Sequence, residues 1–268
     1  MKKENRPSLQ ILFVCLGAAF LIGVWAILAA WLKSQGNHVV LYPHEAVVRI
    51  AELFFGSEAP STYISIGWTL LRLILGFLVA FVLGVILGTL GGLHRNFDAF
   101  MKPLVVTFRT IPTAAVVILF IGIFMGPKNV KYLNFMPSVL TFMVAFPLIY
   151  QAFITAMERE DEAIIRSLDL EVGHKSLKSI VQVLWPDAMP FVWMSIGQGL
   201  GLSLKVTIMS EVLSANSATR PGLGVLIVKA QTTGKVEDII PYSLIALLLM
   251  AIIDIPYLVL KAKEKKEN

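Results

Sequence analysis

The chain has 268 residues, of which 56% are hydrophobic and 15% charged, whereas soluble domains carry roughly 25% charged residues. This composition and a mean hydropathy of +0.75 exclude an ordinary soluble domain and predict a membrane protein. The net charge of +5 is expected from Lys and Arg on cytoplasmic loops. Because no basic run is interleaved with aromatics, no nucleic-acid partner is predicted. The single cysteine, Cys15, lies in an apolar run, so a packing role is expected.

Six apolar runs are close to the roughly 20 residues that a bilayer requires. The first is too long for the core of a signal peptide, so we interpret it as a retained helix. The polar turn GPKNVKY joins the third run to the fourth and predicts a helical hairpin. The spans are predicted at about Leu9–Leu32, Leu71–Leu93, Pro103–Gly126, Leu133–Phe153, Ala188–Leu213 and Ile240–Leu260.

The distribution of basic residues sets the predicted orientation. With a cytoplasmic amino terminus, the cytoplasmic segments hold more Lys and Arg than the outer segments, which predicts that both termini are cytoplasmic. In the first outer segment, Pro43 is expected to start a short amphipathic helix on the outer surface. The outer segment Ser214–Asp238 holds an apolar run too short to span, which is expected to re-enter the protein. The predicted apolar face of the Pro43 helix consists of Val47, Ile50, Ala51 and Phe54.

Small residues recur at helical spacing in two spans. Ala80, Gly84 and Gly88 share one face of the second span, and Gly197 and Gly201 repeat the pattern in the fifth. This spacing lets another helix approach closely, and packing is favoured over substrate passage along these faces. No G-x-x-x-x-G-K-[ST] loop occurs, so ATP binding by a Walker motif is not expected.

Several ionisable residues fall within the spans or at their edges, where each needs a partner, an interface or water. Arg72 is predicted at the outer end of its span, and snorkelling to the headgroups is favoured. For Asp254, near the inner end of the last span, a structural role is favoured. Arg109 precedes Pro112 near the cytoplasmic start of the third span, and the proline is expected to allow a local bend. A cytoplasmic gate and an interfacial anchor remain equal alternatives for Arg109.

Lys205 and Glu211 are the deepest charged residues by sequence. Six residues of helix turn the chain by about 600°, so the two side chains do not face each other. Partners are therefore expected elsewhere in the chain or in a second subunit. Two roles remain open for each residue, namely lining a pathway or forming a buried structural pair.

The segment from Glu158 to Val183 is charged and helically patterned, in contrast to the apolar chain around it. Its apolar residues predict two short helices separated at Gly173, each with one apolar face. An ordinary solvated loop helix is the alternative. The apolar faces favour docking on another protein.

Gly173 is followed after nine residues by Val-Leu-Trp-Pro, ending at Pro186. Other distinctive stretches are TLLRLILGF, FRTIPTAAVVILFIGIF, GLGLSLKVTIMSEVL and PGLG. By these residues the chain resembles the membrane subunits of bacterial importers of the ATP-binding-cassette type, in the branch for nitrate, taurine, alkanesulfonates and thiamine-precursor-like compounds. The family signature is Glu-Ala-Ala, three residues, Gly, nine residues, Ile, one residue and Leu-Pro. Ser167, Leu168 and Asp169 stand at the Glu-Ala-Ala positions, and a Glu162–Ala163 pair lies five residues too early.

The resemblance implies an all-α membrane protein of the type I importer permease kind, with about six transmembrane helices in one domain, 1–268, and a cytoplasmic coupling helix within about 158–183. It implies a non-catalytic subunit of a solute importer that forms the translocation pathway as a homodimer in the bacterial inner membrane. The implied partners are ATPase subunits, which bind ATP and Mg²⁺, and an extracytoplasmic solute-binding protein. No cofactor or metal is expected in this chain. The implied ATPase-coupling residues are Glu162, Ala163, Ser167, Leu168, Asp169, Gly173 and Pro186, and the pathway or gate residues are Arg109, Pro112, Lys205 and Glu211.

Two other functions are compatible with the composition. An ion-coupled secondary transporter would use Lys205, Glu211 and Asp254 as relay groups, although no inverted repeat is evident. A membrane scaffold without transport is the other alternative. Dependence of uptake on ATP rather than on an ion gradient distinguishes the importer from the secondary transporter, and any solute flux at all excludes the scaffold.

Overall fold

The computed structural model describes residues 7–36, 39–124, 126, 129–159, 170, 173, 176–215 and 219–267. Every regular element in these ranges is helical, which confirms the predicted all-α class. The α-helices are α1 (Pro7–Ser34), α2 (Pro43–Phe55), α3 (Ala59–Leu93), α4 (Arg95–Thr110), α5 (Thr113–Phe124), α6 (Met136–Glu158), α7 (Trp185–Leu213), α8 (Leu223–Thr232) and α9 (Ile239–Glu267). A helical turn at Leu177–Ser179 and a π-helix at Ile180–Leu184 run directly into α7, and 3₁₀ helices lie at Val130–Phe135 and Val236–Asp238.

The described chain contains five helical segments that are long and apolar enough to cross a membrane, and a sixth if α4 and α5 count as one broken span. This finding makes the chain a multi-pass membrane protein and agrees with the six predicted spans. The second span begins at Ala59 and the fifth at Ile180, both earlier than predicted. The five segments are Leu12–Ser34, Ala59–Leu93, Lys131–Glu158, Ile180–Leu213 and Val236–Ile253.

The third predicted span, Pro103–Gly126, is divided between two helices in the structure. The helices α4 and α5 meet at 90°, and Ile111 between them has extended backbone angles of φ −63° and ψ 125°. Pro112 explains the break, because its ring disfavours helical geometry at the preceding residue. Pro103, by contrast, lies inside α4.

The short helix predicted to start at Pro43 is confirmed as α2, and the face that it buries in the protein is not the predicted apolar face, whose contact with the membrane surface stays a prediction. Ala46 and Leu53 are fully buried, whereas Val47 is 66% exposed. Arg49 is three and four residues from these buried positions and therefore shares their face. Its Nε lies 2.6 Å from Oδ1 of the buried Asp238, which turns that face inward.

The chain divides into two compact units, one formed by 1–63 and 227–245 and the other by 64–226 and 246–268. The single domain expected over 1–268 stays a prediction. In the first unit, Arg49 also binds Glu52 and Glu58 at 2.9 Å. Its hydrogen bond to Asp238 raises the pKa of Arg49, and a hydrogen bond from Lys235 lowers the pKa of Glu58. These contacts attach α2 to the segment before α9.

Helices α6 and α7 form the main packing contact of the second unit. Phe146, Tyr150 and Phe153 of α6 are at most 1% exposed and lie in a cluster with Leu184 and Ala188. The small-residue face of α3 packs against α6, because a Cβ added at Gly84 would lie 2.7 Å from Ile149 and one at Gly88 would lie 2.8 Å from Phe153. The favoured packing role of this face is thereby confirmed. Gly197 and Gly201 of α7 are also buried.

Candidate functional site

Arg72 of α3 donates hydrogen bonds to three separate segments of the second unit. Its Nη1 lies 2.6 Å from Oε1 of Glu211. Its Nη2 donates to the carbonyl of Arg220 at 2.7 Å, and its Nε donates to the carbonyl of Asn134 at 3.1 Å. Only 4% of Arg72 is exposed, so this charge is buried with an acceptor at each guanidinium nitrogen.

Glu211 lies near the carboxyl end of α7 and is 1% exposed. Besides Arg72, it accepts hydrogen bonds at Oε2 from Thr69 Oγ1 at 2.8 Å and from the backbone N–H of Gly224 at 3.1 Å. Thr69 Oγ1 in turn accepts from the N–H of Leu223 at 2.9 Å. Burial of both charges is tolerated because the carboxylate and the guanidinium are paired and their other polar atoms have partners.

The PGLG stretch lets the start of α8 approach α7 at this point. A Cβ at Gly224 would lie 2.5 Å from the carbonyl oxygen of Ile208 and 2.6 Å from Glu211 Cβ, and one at Gly222 would overlap the Glu211 carboxylate. Only glycine leaves enough space for the carboxylate to reach the backbone N–H of the opposing segment.

The favoured expectation that Arg72 snorkels to the headgroups is wrong, since burial and the ion pair hold its guanidinium inside the protein. Glu211 finds its partner in another segment, as expected, and Lys205 is not that partner. Arg72 and Glu211 both lie near the outer ends of their predicted spans. This common level is the sequence signal that could have paired them.

Lys205 lies on the outward face of α7. It is exposed, and among the described residues it has no hydrogen-bonding or ion-pairing partner. Gln198 is exposed on the same helix, where Met194 is 42% and Leu202 46% exposed. These four residues recur every three or four positions and therefore form one stripe. We call Met194, Gln198, Leu202 and Lys205 the α7 stripe.

Arg109 and Pro112 lie at the junction of α4 and α5. Arg109 occupies the last turn of α4, where a cation is favoured by the helix dipole. Its side chain is exposed and lines a cleft of about 220 Å³ with Gln151, Thr155 and Gln198. The fold therefore brings Arg109 to the α7 stripe. The gate and the anchor remain predictions.

Two of the residues predicted to couple to an ATPase are described. Gly173 has φ +87°, in the region that favours glycine, and its carbonyl accepts from the N–H of Ser176 at 3.0 Å. Ser176 caps the following helix, because its Oγ accepts the N–H of Ser179 at 3.2 Å. Pro186 lies in the first turn of α7 and is exposed. Glu162, Ala163, Ser167, Leu168 and Asp169 lie outside the described residues.

The predicted second short helix after Gly173 is not a separate element. The residues predicted for it, Leu177, Ile180 and Val181, belong to the helical run 177–213 that includes α7. In the described ranges, no three His, Cys, Asp or Glu side chains converge to hold a metal ion. The side chain of Asp254 is not among those described, so its structural role stays a prediction.

Comparison with known proteins places these features in a family context. The family model for the binding-protein-dependent transport system inner membrane component matches residues 80–263, which is more than half of the chain. A protein of Methanocaldococcus jannaschii that carries the name of an ABC transporter permease is 26% identical over 243 residues, covering 88% of this chain and 84% of its own.

Two further relatives have names that specify a solute. A Bacillus subtilis protein named as an aliphatic sulfonates transport permease is 25% identical over 232 residues, covering 86% of this chain and 78% of its own. A nitrate import permease of Synechocystis is 24% identical over 254 residues, covering 94% of this chain and 84% of its own.

Proposed function

Because the chain belongs to the family of binding-protein-dependent transport system inner membrane components, we propose that it is the membrane permease subunit of an ATP-driven bacterial solute importer. In this proposal two copies form the translocation pathway in the inner membrane, with both termini cytoplasmic. Separate ATPase subunits bind ATP and Mg²⁺, and a soluble binding protein delivers the solute from outside. The chain itself carries no cofactor.

The observation that carries the pathway part of this proposal is the α7 stripe. An ionisable side chain in a membrane-spanning segment requires a protein partner or water, and Lys205 has no partner among the described residues. Gln198 lies on the same stripe and shares a cleft with Arg109. A water-containing pathway at the interface of two copies would solvate all three side chains. In that arrangement Pro112 fixes the bend that presents Arg109.

Coupling to the ATPase is supported by the continuity of the helical run 177–213. Its amino end follows Gly173 and the capping residue Ser176, next to the segment proposed to dock. Near its carboxyl end, Glu211 is bound to Arg72 and Gly224. A displacement of the docking segment would therefore be transmitted along one helical element to the buried ion pair.

Glycine at position 173 offers a test of docking with a matched control. Gly173→Arg places a bulky charge beside the proposed docking segment and is expected to abolish recovery of the ATPase in a mild-detergent pull-down. Gly36 also has a positive φ, of 76°, and lies on the opposite side of the proposed topology. Gly36→Arg imposes comparable backbone strain there and is expected to retain the ATPase.

Recovery of a Walker-type ATPase with the wild-type chain, in about equal amount, and solute uptake that depends on ATP would support the proposal. An intact complex with Gly173→Arg would contradict the docking role. Uptake that follows an ion gradient without any ATPase would instead favour the secondary transporter.

A further inference from the structure

A second cavity in the 64–226 part of the chain lies beside the Arg72–Glu211 pair and has a volume of about 450 Å³. This volume lies in the range of small-molecule sites, about 300–1,000 Å³. Trp68 and Phe135 form part of its apolar wall, and Lys131 and Arg220 contribute cations. We call it the tryptophan cavity.

Among the described residues, the charges that line the tryptophan cavity are all positive. Arg72, Lys131 and Arg220 line it, and no described carboxylate does. The donors of Arg72 are occupied by Glu211 and two carbonyl groups. In the described structure Lys131 and Arg220 form no ion pair. Lys131 and Arg220 thus remain available to bind a ligand.

Arg220 is held in place by main-chain hydrogen bonds and a cation–π contact, and by no carboxylate among the described residues. Its guanidinium lies 4.3 Å from the ring centroid of Trp68. Its carbonyl accepts from Arg72, and its N–H donates to Asn134 Oδ1 at 3.2 Å. Asn134 Nδ2 also donates to Thr219 Oγ1 at 2.6 Å. The position of Arg220 is therefore largely fixed before any ligand binds, which lowers the entropic cost of binding.

Neutral residues complete the polar part of the wall. Asn134, Ser138 and Thr219 line the cavity, but the Oγ of Ser138 is buried and does not face it. The cavity thus combines cations with an aromatic wall.

We infer that the tryptophan cavity binds an organic oxyanion, whose charged head contacts Arg220 and Lys131 while its apolar part covers Trp68 and Phe135. A bare inorganic anion would satisfy the cations but leave the aromatic wall uncovered. A free organic sulfonate or phosphate and a phospholipid headgroup both supply the required chemistry. The inference goes beyond the proposed import function, because this chain would bind the oxyanion without the ATPase or the solute-binding protein.

Isothermal titration of the full chain in phosphatidylcholine nanodiscs with benzenesulfonate tests the inference. We expect Arg220→Gln to weaken binding by about tenfold or more, since a charge-assisted hydrogen bond is lost. Lys131→Gln is expected to weaken binding as well, and nitrate to bind at least tenfold more weakly than benzenesulfonate. Arg95→Gln removes an exposed arginine that does not line the cavity and is expected to leave the affinity unchanged.

The main-chain contacts of Arg220 do not require its side chain, so Arg220→Gln is expected to fold, and an unchanged melting temperature checks this. Nanodiscs that contain phosphatidylglycerol distinguish the two ligand sources. Benzenesulfonate affinity that is equal in both lipids supports a free solute. Competition by phosphatidylglycerol, with retention of that lipid by the wild type but not by Arg220→Gln, supports a headgroup.

Three outcomes would overturn the inference. The first is benzenesulfonate binding that neither Arg220→Gln nor Lys131→Gln weakens. The second is equal affinity for nitrate and benzenesulfonate. The third is the absence of both benzenesulfonate binding and lipid retention. This outcome includes the case in which Arg220→Gln reduces only the recovery of a solute-binding protein. None of these results bears on ATP-dependent uptake, so the proposed function is tested independently of this inference.

Discussion

Neutralising Glu211 while keeping its size tests the energetic role of the buried ion pair. Glu211→Gln leaves the Arg72 guanidinium 4% exposed and bound only to neutral acceptors. Removal of one partner of a buried pair costs about 3–5 kcal/mol, because the other charge is left buried and uncompensated. We expect the free energy of unfolding to fall by about that amount.

A double-mutant cycle with Arg72→Gln separates the pair from its surroundings. Arg72→Gln alone leaves the Glu211 carboxylate with Thr69 and Gly224 as donors, so a loss of similar size is expected. The double variant contains no buried charge at this place. Its destabilisation is therefore expected to be smaller than the sum of the two single effects by about 2 kcal/mol or more, within the range for interacting neighbours.

The assay is reversible unfolding of the purified chain in mixed micelles, with the denaturing detergent titrated and helicity followed. Glu237→Gln is the matched control, because Glu237 is an exposed acidic residue, and its effect is expected to stay within about 0.5 kcal/mol. Additive single effects, or single variants as stable as the control, would refute the reasoning.

Uptake by the same variants addresses the two roles that the sequence leaves open for Glu211. We expect Glu211→Gln to reduce uptake more than it reduces the amount of assembled complex. The double variant removes the stability defect of an uncompensated charge. If its assembled complex transports at the wild-type rate, Glu211 has a structural role, whereas loss of transport in that complex assigns Glu211 to the pathway.

Two further predictions concern the ion pairs around α2 and the glycine beside Glu211. The pKa of Glu58 is lowered by its hydrogen bond with Lys235, so the stability from this carboxylate is present above its ordinary pKa and is lost as the pH falls through the lowered value. The melting temperature of the wild type is expected to fall as the pH is lowered below about 4. In Glu58→Gln, which has no carboxylate at this position, the fall is expected to be smaller by up to about 3 °C. Equal falls in the two proteins would contradict a contribution from the ion pair. Gly224→Ala is expected to cost about 1–3 kcal/mol of unfolding free energy by overpacking. Gly67→Ala is its control, because a Cβ at Gly67 contacts nothing within 4 Å, and equal stabilities of these two variants would contradict the close approach.

The membrane class and the number of apolar segments could be predicted from composition and run length, because a bilayer demands a particular length of apolar helix. Polar residues, Arg109, Thr110 and Thr113, and the helix-disfavouring Pro112 flank the break at Ile111, so its place could be predicted from the sequence but its angle could not. Pro112 was visible and was interpreted as a local bend, but the 90° angle depends on where α4 and α5 pack. A single proline in a sequence does not specify the angle between the two helices that it separates.

The candidate site was predictable only in part for a similar reason. Sequence identifies Glu211 as a buried charge that needs a partner, but Arg72 lies 139 positions away. The pairing depends on the packing of α3 against α7 and on the glycines that admit the start of α8. The buried face of α2 could not be predicted from apolar spacing, because Arg49, a charged residue, lies on it to reach Asp238. Tertiary ion pairs of this kind are not visible in an apolar periodicity.

The geometry of the run 177–213 limits how the proposed importer could couple ATP hydrolysis to the pathway. At 1.5 Å per residue the run is roughly 55 Å long, well beyond the hydrocarbon thickness of about 30 Å. The π-helix at Ile180–Leu184 and Pro190 can permit bending near the end that is proposed to dock. Beyond Pro190 no proline interrupts α7, and its glycines, Gly197, Gly199 and Gly201, are buried by packing, so a tilt imposed near Gly173 would move Glu211 at the far end. Because Arg72 binds Glu211 and the carbonyls of two other segments, that displacement would reach all of them together.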